Sequence, residues 1–186
     1  MKHGYVLNVM SNDRPGIVAG VSAAIASLDG NIESCSQTVL NGYFTLIMTF
    51  SLPEAWKIDD LRDTILRSKG LDDCQAMIQS MADVAPPAET SQQDVFVITA
   101  SGPDCKSIVA SFSSYLAGKE INILDLYGDL TPEGDFVLIS QVAVQQNLDI
   151  QKLQFDLEEL GQDLGFTVRL QHNNIFVATN QLRLYR

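Results

Sequence analysis

The segment Ser11-Asn12-Asp13-Arg14-Pro15-Gly16 gathers the residues of this sequence best suited to holding a small polar ligand. Apolar residues follow at Ile17, Val18, Val21, Ala24, Ile25 and Leu28, a helical spacing, so the segment is a strand-to-helix loop. Pro15 near the first helical turn and Gly16 beside it leave backbone N–H groups open at a helix start, where a carboxylate or another anion is favoured. Asn31 and Ile32 begin the next strand. Its edge is expected beside the loop, adding donors for a carboxylate and carbonyls for an ammonium group. An amino acid satisfies both. A plainer account stays open on spacing alone, in which Asp13 only caps the helix and Pro15 only starts it.

Other chemistries find less support. A hydrolase or transferase needs a nucleophile and a base, yet His3 and His172 are the only histidines and no Gly-x-Ser-x-Gly elbow is present. Cys35, Cys74 and Cys105 are widely spaced, with no CxxC pair and no neighbouring histidine, so they read as reduced, mostly buried thiols. Convergence of these cysteines and histidines on a metal would require distant segments to meet, and no metal or cofactor is expected. Asp59-Asp60, Asp72-Asp73 and Glu158-Glu159 adjoin helix ends or exposed faces and read as solvated surface.

The elements that position the loop follow from pattern. Tyr5 to Met10 reads as a strand, Asn31 to Leu40 and Tyr43 to Leu52 as a hairpin about Asn41-Gly42, Lys57 to Lys69 as a second helix ended by Gly70, and Cys74 to Met81 as a last strand. The order is βαββαβ. Ala82 to Asp94, with Pro86 and Pro87, reads as an extended linker. Beyond it the order recurs. A shift of 91 lays Tyr5 on Phe96, Asp13 on Asp104, Ile17 on Ile108 and Asn31 on Asn122. One extra residue in the hairpin makes the shift 92, laying Phe44 on Phe136, Leu61 on Leu153 and Ile78 on Leu170.

The expected organisation is therefore a first domain over 1–81, a linker over 82–94, a second domain over 95–172 and a tail over 173–186. A βαββαβ unit folds most simply as a ferredoxin-like α+β domain, an antiparallel four-stranded sheet with both helices on one face. The other face and the sheet edges are left for a partner, and a homodimer is expected. In the tail, Ile175, Phe176 and Leu182 suit a short amphipathic helix, and a strand extension fits nearly as well.

Charge removes further classes. The chain has 186 residues and a formal net charge of −11. Both halves are acidic, with 6 basic against 11 acidic residues up to residue 91 and 6 against 12 after it. Direct nucleic-acid binding and docking on an anionic membrane are disfavoured. RNA-binding modules of the same element order need a basic, aromatic third strand, whereas Tyr43 to Phe50 holds no Arg or Lys. No apolar run reaches membrane-helix length and the start lacks a signal-peptide core, so the default location is cytoplasmic.

The run Asn12-Asp13-Arg14-Pro15-Gly16-Ile17-Val18, with Gly30-Asn31-Ile32 before the hairpin, resembles the signature of the ACT domain family. As two tandem copies the chain is similar to regulators related to the glycine cleavage system transcriptional repressor. It also resembles the small head domain of formyltetrahydrofolate deformylases, whose catalytic domain does not follow in this sequence, so that activity is not carried over. The resemblance implies small ligands, chiefly amino acids and here glycine or similar, held at an interface between ACT units. It further implies a regulated protein, such as a transcription factor, as partner.

Under this reading Asn12, Asp13, Arg14, Pro15, Gly16, Ile17, Asn31 and Ile32 form the site in the first copy, with the Gly16 and Ile17 amides on the carboxylate and Asn31 fixing the ligand from the strand. In the second copy Cys105, Lys106 and Ser107 replace Arg14, Pro15 and Gly16, which places the site in the first copy alone. The expected function is an amino-acid-sensing regulator without catalysis of its own. A ligand-free adaptor, holding a partner through its ACT units, is the alternative.

Overall fold

The computed structural model describes residues 2–81 and 93–181. The chain divides into two compact units, Met1–Pro87 and Ala88–Arg186. In the first, β1 (His3–Asn12), α1 (Ile17–Ser27), β2 (Asn31–Leu40), β3 (Tyr43–Leu52), α2 (Ile58–Leu66) and β4 (Gln75–Ser80) follow one another. The sheet order is β2-β3-β1-β4, with β1 antiparallel to both β3 and β4. Each helix therefore crosses between parallel strands with one antiparallel strand set between them, the ferredoxin-like plan.

Alternation along the strands decides which face is buried. Tyr5, Leu7 and Val9 of β1 and Phe44, Leu46, Met48 and Phe50 of β3 form one core with Ile17, Val21 and Ile25 of α1 and Leu61 and Ile65 of α2. Each fully buried Leu, Ile or Phe contributes roughly 1.5–3 kcal/mol. The hairpin between β2 and β3 turns on Asn41 (φ 50°) and Gly42 (φ 81°). Two successive left-handed residues make the turn that matches strand twist and pins Leu40 opposite Tyr43. Helix α2 stops at Leu66, three residues short of the expected Lys69. Gly70 turns the chain at φ 86°, and Leu71 goes into the core.

The second unit repeats the plan with β5 (Gln93–Pro103), α3 (Ile108–Gly118), β6 (Asn122–Leu130), β7 (Asp135–Gln145), α4 (Ile150–Asp163) and β8 (Thr167–His172), in the order β6-β7-β5-β8. The repeat holds pair by pair. Tyr5 faces Phe50 and Phe96 faces Val142, while Leu7 faces Ile78 and Ile98 faces Leu170. The ladder of β2 is irregular between Ile32 and Ser34, and that of β6 between Ile123 and Asp125, at the equivalent place. The extra hairpin residue is visible as well. Thr131 N donates to Asp135 O at 2.7 Å across Pro132-Glu133-Gly134, with Gly134 at φ 92°, so a three-residue loop stands where the first unit has two.

Gln93 and Asp94 open β5, and residues 82–92 of the expected linker lie outside the described residues. The tail forms a helix, α5 (Asn173–Gln181), against β5 and β8. It carries Ile175 and Phe176, while Leu182 lies outside the described residues. Of the three cysteines only Cys74 is buried. Cys35 is exposed, contrary to the expectation, because it stands on edge strand β2, every residue of which is exposed. No helix among the described residues is long and apolar enough to cross a membrane.

Helix α4 passes so close to β8 that a Cβ on Gly161 would fall 2.2 Å from Cγ2 of Val168. Alanine is favoured over glycine in a helix by about 1 kcal/mol, but here overpacking opposes it by about 1–3 kcal/mol. Gly161→Ala is expected to lower, not raise, the thermal unfolding midpoint. A raised midpoint would show that the helix-to-strand contact is loose.

Candidate functional site

The strand-to-helix loop of the first unit leaves the sheet beside the tip of the hairpin. Asn12 pairs with Tyr43, and the Asp13 amide donates to Gly42 O at 2.8 Å. Three residues on, Gly16 takes φ 103°, a left-handed value that glycine adopts without a Cβ penalty. The first bond of α1 runs from Gly20 N to Gly16 O at 2.8 Å, and no side chain caps the helix. Helix geometry leaves the preceding amides, Ile17 to Ala19, without intrahelical partners. They face an open hollow lined by Asp13, Arg14, Gly16 and Ile17 together with Gln37 of β2 and Phe44 of β3.

The plainer account of Asp13 as a side-chain cap does not hold: the helix is flanked by Gly16, and Asp13 is anchored through its backbone. Arg14 lines the hollow, but its guanidinium is engaged elsewhere. Its guanidinium donates to Gly70 O at 2.9 Å, ion-pairs with Asp73, and reaches Ser11 Oγ at 3.4 Å. It thereby ties the loop to the segment between α2 and β4. Asn12, Asp13, Arg14, Pro15, Gly16 and Ile17 are contiguous, and all but Asn12 line the hollow.

Asn31 and Ile32 are elsewhere. Asn31 pairs with Ser51 and Ile32 with Phe50, level with Gly4 and Tyr5 at the start of β1. At about 3.3 Å per residue the end of β1 is roughly 25 Å away. The expected adjacency fails because β1 and β2 are parallel and start at the same end of the sheet, whereas the loop leaves from the other. Residues near the end of β2 take the place instead. Gln37 lies four positions before the Asn41-Gly42 turn, and counting back from that turn was the signal that could have found it.

The second unit lacks this hollow's parts, position by position. Cys105 replaces Arg14. Gly165, at the place of Asp73, removes the other half of the ion pair, and the two segments meet directly: a Cβ on Gly102 would lie 2.7 Å from Gly165 O. Ser107 replaces Gly16 and takes φ −107°. Gly128 replaces Gln37, and a Cβ there would fall 2.8 Å from Cζ of Phe136, so the aromatic ring stands against the strand where Gln37 projects in the first unit. Cys105 Sγ lies 3.3 Å from Ser107 Oγ, and that hydrogen bond holds the thiol below its ordinary pKa. Elsewhere in this unit, Tyr115 donates to Asp156 at 2.8 Å. Burial first, and then that contact, push the phenol upward, which keeps it a neutral donor between α3 and α4.

The family model described as an ACT domain matches residues 3–77 and again 94–171. Over 65 residues, 35% of this chain and 73% of the other, the sequence is 45% identical to a UPF0237 protein of Listeria innocua. It is 50% identical over 50 residues to a UPF0237 protein of Methanopyrus kandleri, of which it spans 56%. Among solved structures, an unknown protein from Galdieria sulphuraria is 25% identical with a TM-score of 0.76, over 92% of this chain and 99% of that one. A protein described as a candidate glycine cleavage system transcriptional repressor shares the fold at 19% identity, with a TM-score of 0.65 over 93% of this chain and 99% of that one. With the family model matched twice over most of its length, and the βαββαβ plan present in both units, this chain belongs to the ACT domain family.

Proposed function

We propose that the chain senses a small amino acid and regulates another protein by direct contact, without catalysis of its own. The observation that supports this reading is the hollow at the start of α1, where uncapped amides meet an open surface beside a left-handed glycine. The amides and the helix dipole suit a carboxylate, and the Gln37 side chain offers a carbonyl for an ammonium group. Gly16 lets the backbone approach closely. The ligand class is glycine or a similarly small amino acid. Control of a glycine cleavage system is the finer form of the reading, and its support is the described structural neighbour.

In this reading Arg14 positions the loop and does not touch the ligand. Asn31 and Ile32 lie too far from the loop of their own unit to share a ligand with it, so they would take part only where a loop meets the strand start of another molecule. Regulation then comes from a difference in ligand affinity between two arrangements of the protein, and the shift can be no larger than that difference.

Thermal unfolding against the twenty amino acids tests the reading. A ligand at 100 times its Kd stabilises by about 2.7 kcal/mol, which raises the midpoint by roughly 5–10 °C in a chain of this size. A shift confined to one or a few small amino acids is expected; a flat panel would leave the ligand-free adaptor. Gly16→Leu should abolish the ligand shift and cost about 1–2 kcal/mol for a left-handed residue with a Cβ, while Ser107→Gly should leave the shift unchanged.

Arg14→Ala separates positioning from contact. The pair with Asp73 is partly exposed, at 33% and 53%, so its loss should cost no more than about 1 kcal/mol. Asp73→Ala should cost a similar amount, and the double variant little more than either. Ligand response should survive in all three. Loss of response in Arg14→Ala with response kept in Asp73→Ala would place the guanidinium on the ligand.

A further inference from the structure

Strand alternation gives the second sheet two unlike faces. Phe96, Ile98 and Ala100 of β5 belong to the core, so Val97, Thr99 and Ser101 stand on the opposite face. Register sets Arg169 of β8 beside Thr99 and Thr167 beside Ser101. On the other flank, Ile139 and Val137 of β7 pair with the same two residues. Toward the start of β5 the face is closed over Val97 and Ala143, which are buried. Toward its end lies an open hollow of about 400 Å³, lined by Thr99, Ser101, Val137, Ile139, Thr167 and Arg169, a volume within the range of small-molecule sites. The hollow exists because β5 carries short side chains between longer ones. By the repeat shift, Met10 and Met77 of the first unit stand at the places of Ser101 and Arg169.

Arg169 is set in this hollow without a protein partner. Arg14, Arg62 and Lys119 pair with aspartates, whereas among the described residues the Arg169 guanidinium makes neither a hydrogen bond nor an ion pair. The hydroxyls of Thr99, Ser101 and Thr167 make no hydrogen bond there either. The carboxylates of this face, Asp125 and Asp129, stand on β6, with β7 and β5 between them and β8. Three strand spacings of about 4.8 Å put their backbone roughly 14 Å from that of Arg169, and Asp129 accepts from the Tyr127 hydroxyl at 3.0 Å. A guanidinium so placed is open to an anion from solution, for which its planar fork is suited.

We propose that this hollow binds a small carboxylate with a short apolar body. The Arg169 guanidinium takes the two carboxylate oxygens side by side, and the Thr99 and Thr167 hydroxyls donate to the lone pairs left over. The body lies over Ser101 against Val137 and Ile139. That apolar flank decides between anions: phosphate would lose water there and gain no contact, whereas a hydrocarbon gains by burial. Width bounds the body. Two strand spacings, about 9.6 Å, separate the backbones of Arg169 and Ile139, which leaves room between their side chains for about three to five carbons. An α-ammonium group would stand beside the guanidinium with no carboxylate at hand to offset the repulsion, so the ligand is not a free amino acid. The proposal does not rest on the amino-acid reading of the first unit.

Titration of the full chain with 3-methylbutanoate to about 20 mM, followed in two-dimensional amide NMR spectra, tests it, since a ligand of this size is expected to bind in the millimolar range. Shifts should centre on Thr99, Ser101, Thr167 and Arg169. Arg169→Met and Ser101→Met each install the residue that the first unit carries at that place. Each should weaken binding by about 10-fold or more, the first by removing the charge-assisted bonds and the second by filling the hollow with the charge kept. Gly16→Leu should leave it unchanged, which separates this site from the hollow at α1. Valine and inorganic phosphate should bind at these residues about 10-fold more weakly than 3-methylbutanoate, or not at all. The same spectra check that each variant is folded. No shift at these residues, affinity kept in folded Arg169→Met and Ser101→Met, or phosphate or valine binding there as tightly as 3-methylbutanoate would overturn the proposal.

Discussion

The ladder of β1 against β3 fixes the position of nearly everything else in the first unit. Its ten residue pairs run from His3–Leu52 to Asn12–Tyr43, and the alternation of Tyr5, Leu7 and Val9 toward the helices admits one register only, since a slip of one residue would turn that set outward. The last pair sets the loop beside the hairpin tip, where the Asp13 amide reaches Gly42. From there Gly16 can start α1 with its amides toward Gln37 and Phe44. The hollow is therefore a consequence of strand register, and Arg14 adds a second tether from the loop to Gly70 and Asp73.

What was legible in the sequence had local or periodic causes. Asn41-Gly42 demands two left-handed residues and so a tight hairpin. The shift from 91 to 92 required one more loop residue, and Pro132-Glu133-Gly134 supplies it. The loop at 12–17 was legible because proline and glycine mark a helix start. The rest was not, because it depends on which strands run parallel. Asn31 is close to the loop in sequence terms, separated by a single helix, yet it lies at the opposite end of the sheet. Arg14 counts with the ligand loop by sequence, and only the three-dimensional path of residues 70–74 shows its guanidinium tied to Gly70 and Asp73.

The two units act as internal controls for each other. They share register, bulge and core, so differences at the loop are not consequences of a different fold. Cys105 and Gly165 lose the ion pair together, and Gly102 lets the backbones touch in its place. Gly128 admits the Phe136 ring against the strand. These changes are mutually consistent: where the tether is gone, Gly102 lies against Gly165 O with no room for a Cβ, Gly165 takes a left-handed φ of 78°, and a side chain at 128 would collide with Phe136. The second unit is a compact variant of the plan, not an eroded copy.

The same comparison bears on surface chemistry. A sheet face that only had to be soluble would tolerate charge, as the second unit's Asp125 and Asp129 show. The first unit's face instead carries Met10, Ile47 and Met77 in the open, within a chain that has charge to spare. Exposed apolar side chains gain nothing for the isolated fold, since the hydrophobic contribution requires removal from water. The loop and this face belong to one four-stranded sheet, with Asn12 and Tyr43 at the boundary of both. The register that makes the hollow thus also sets its distance from this face.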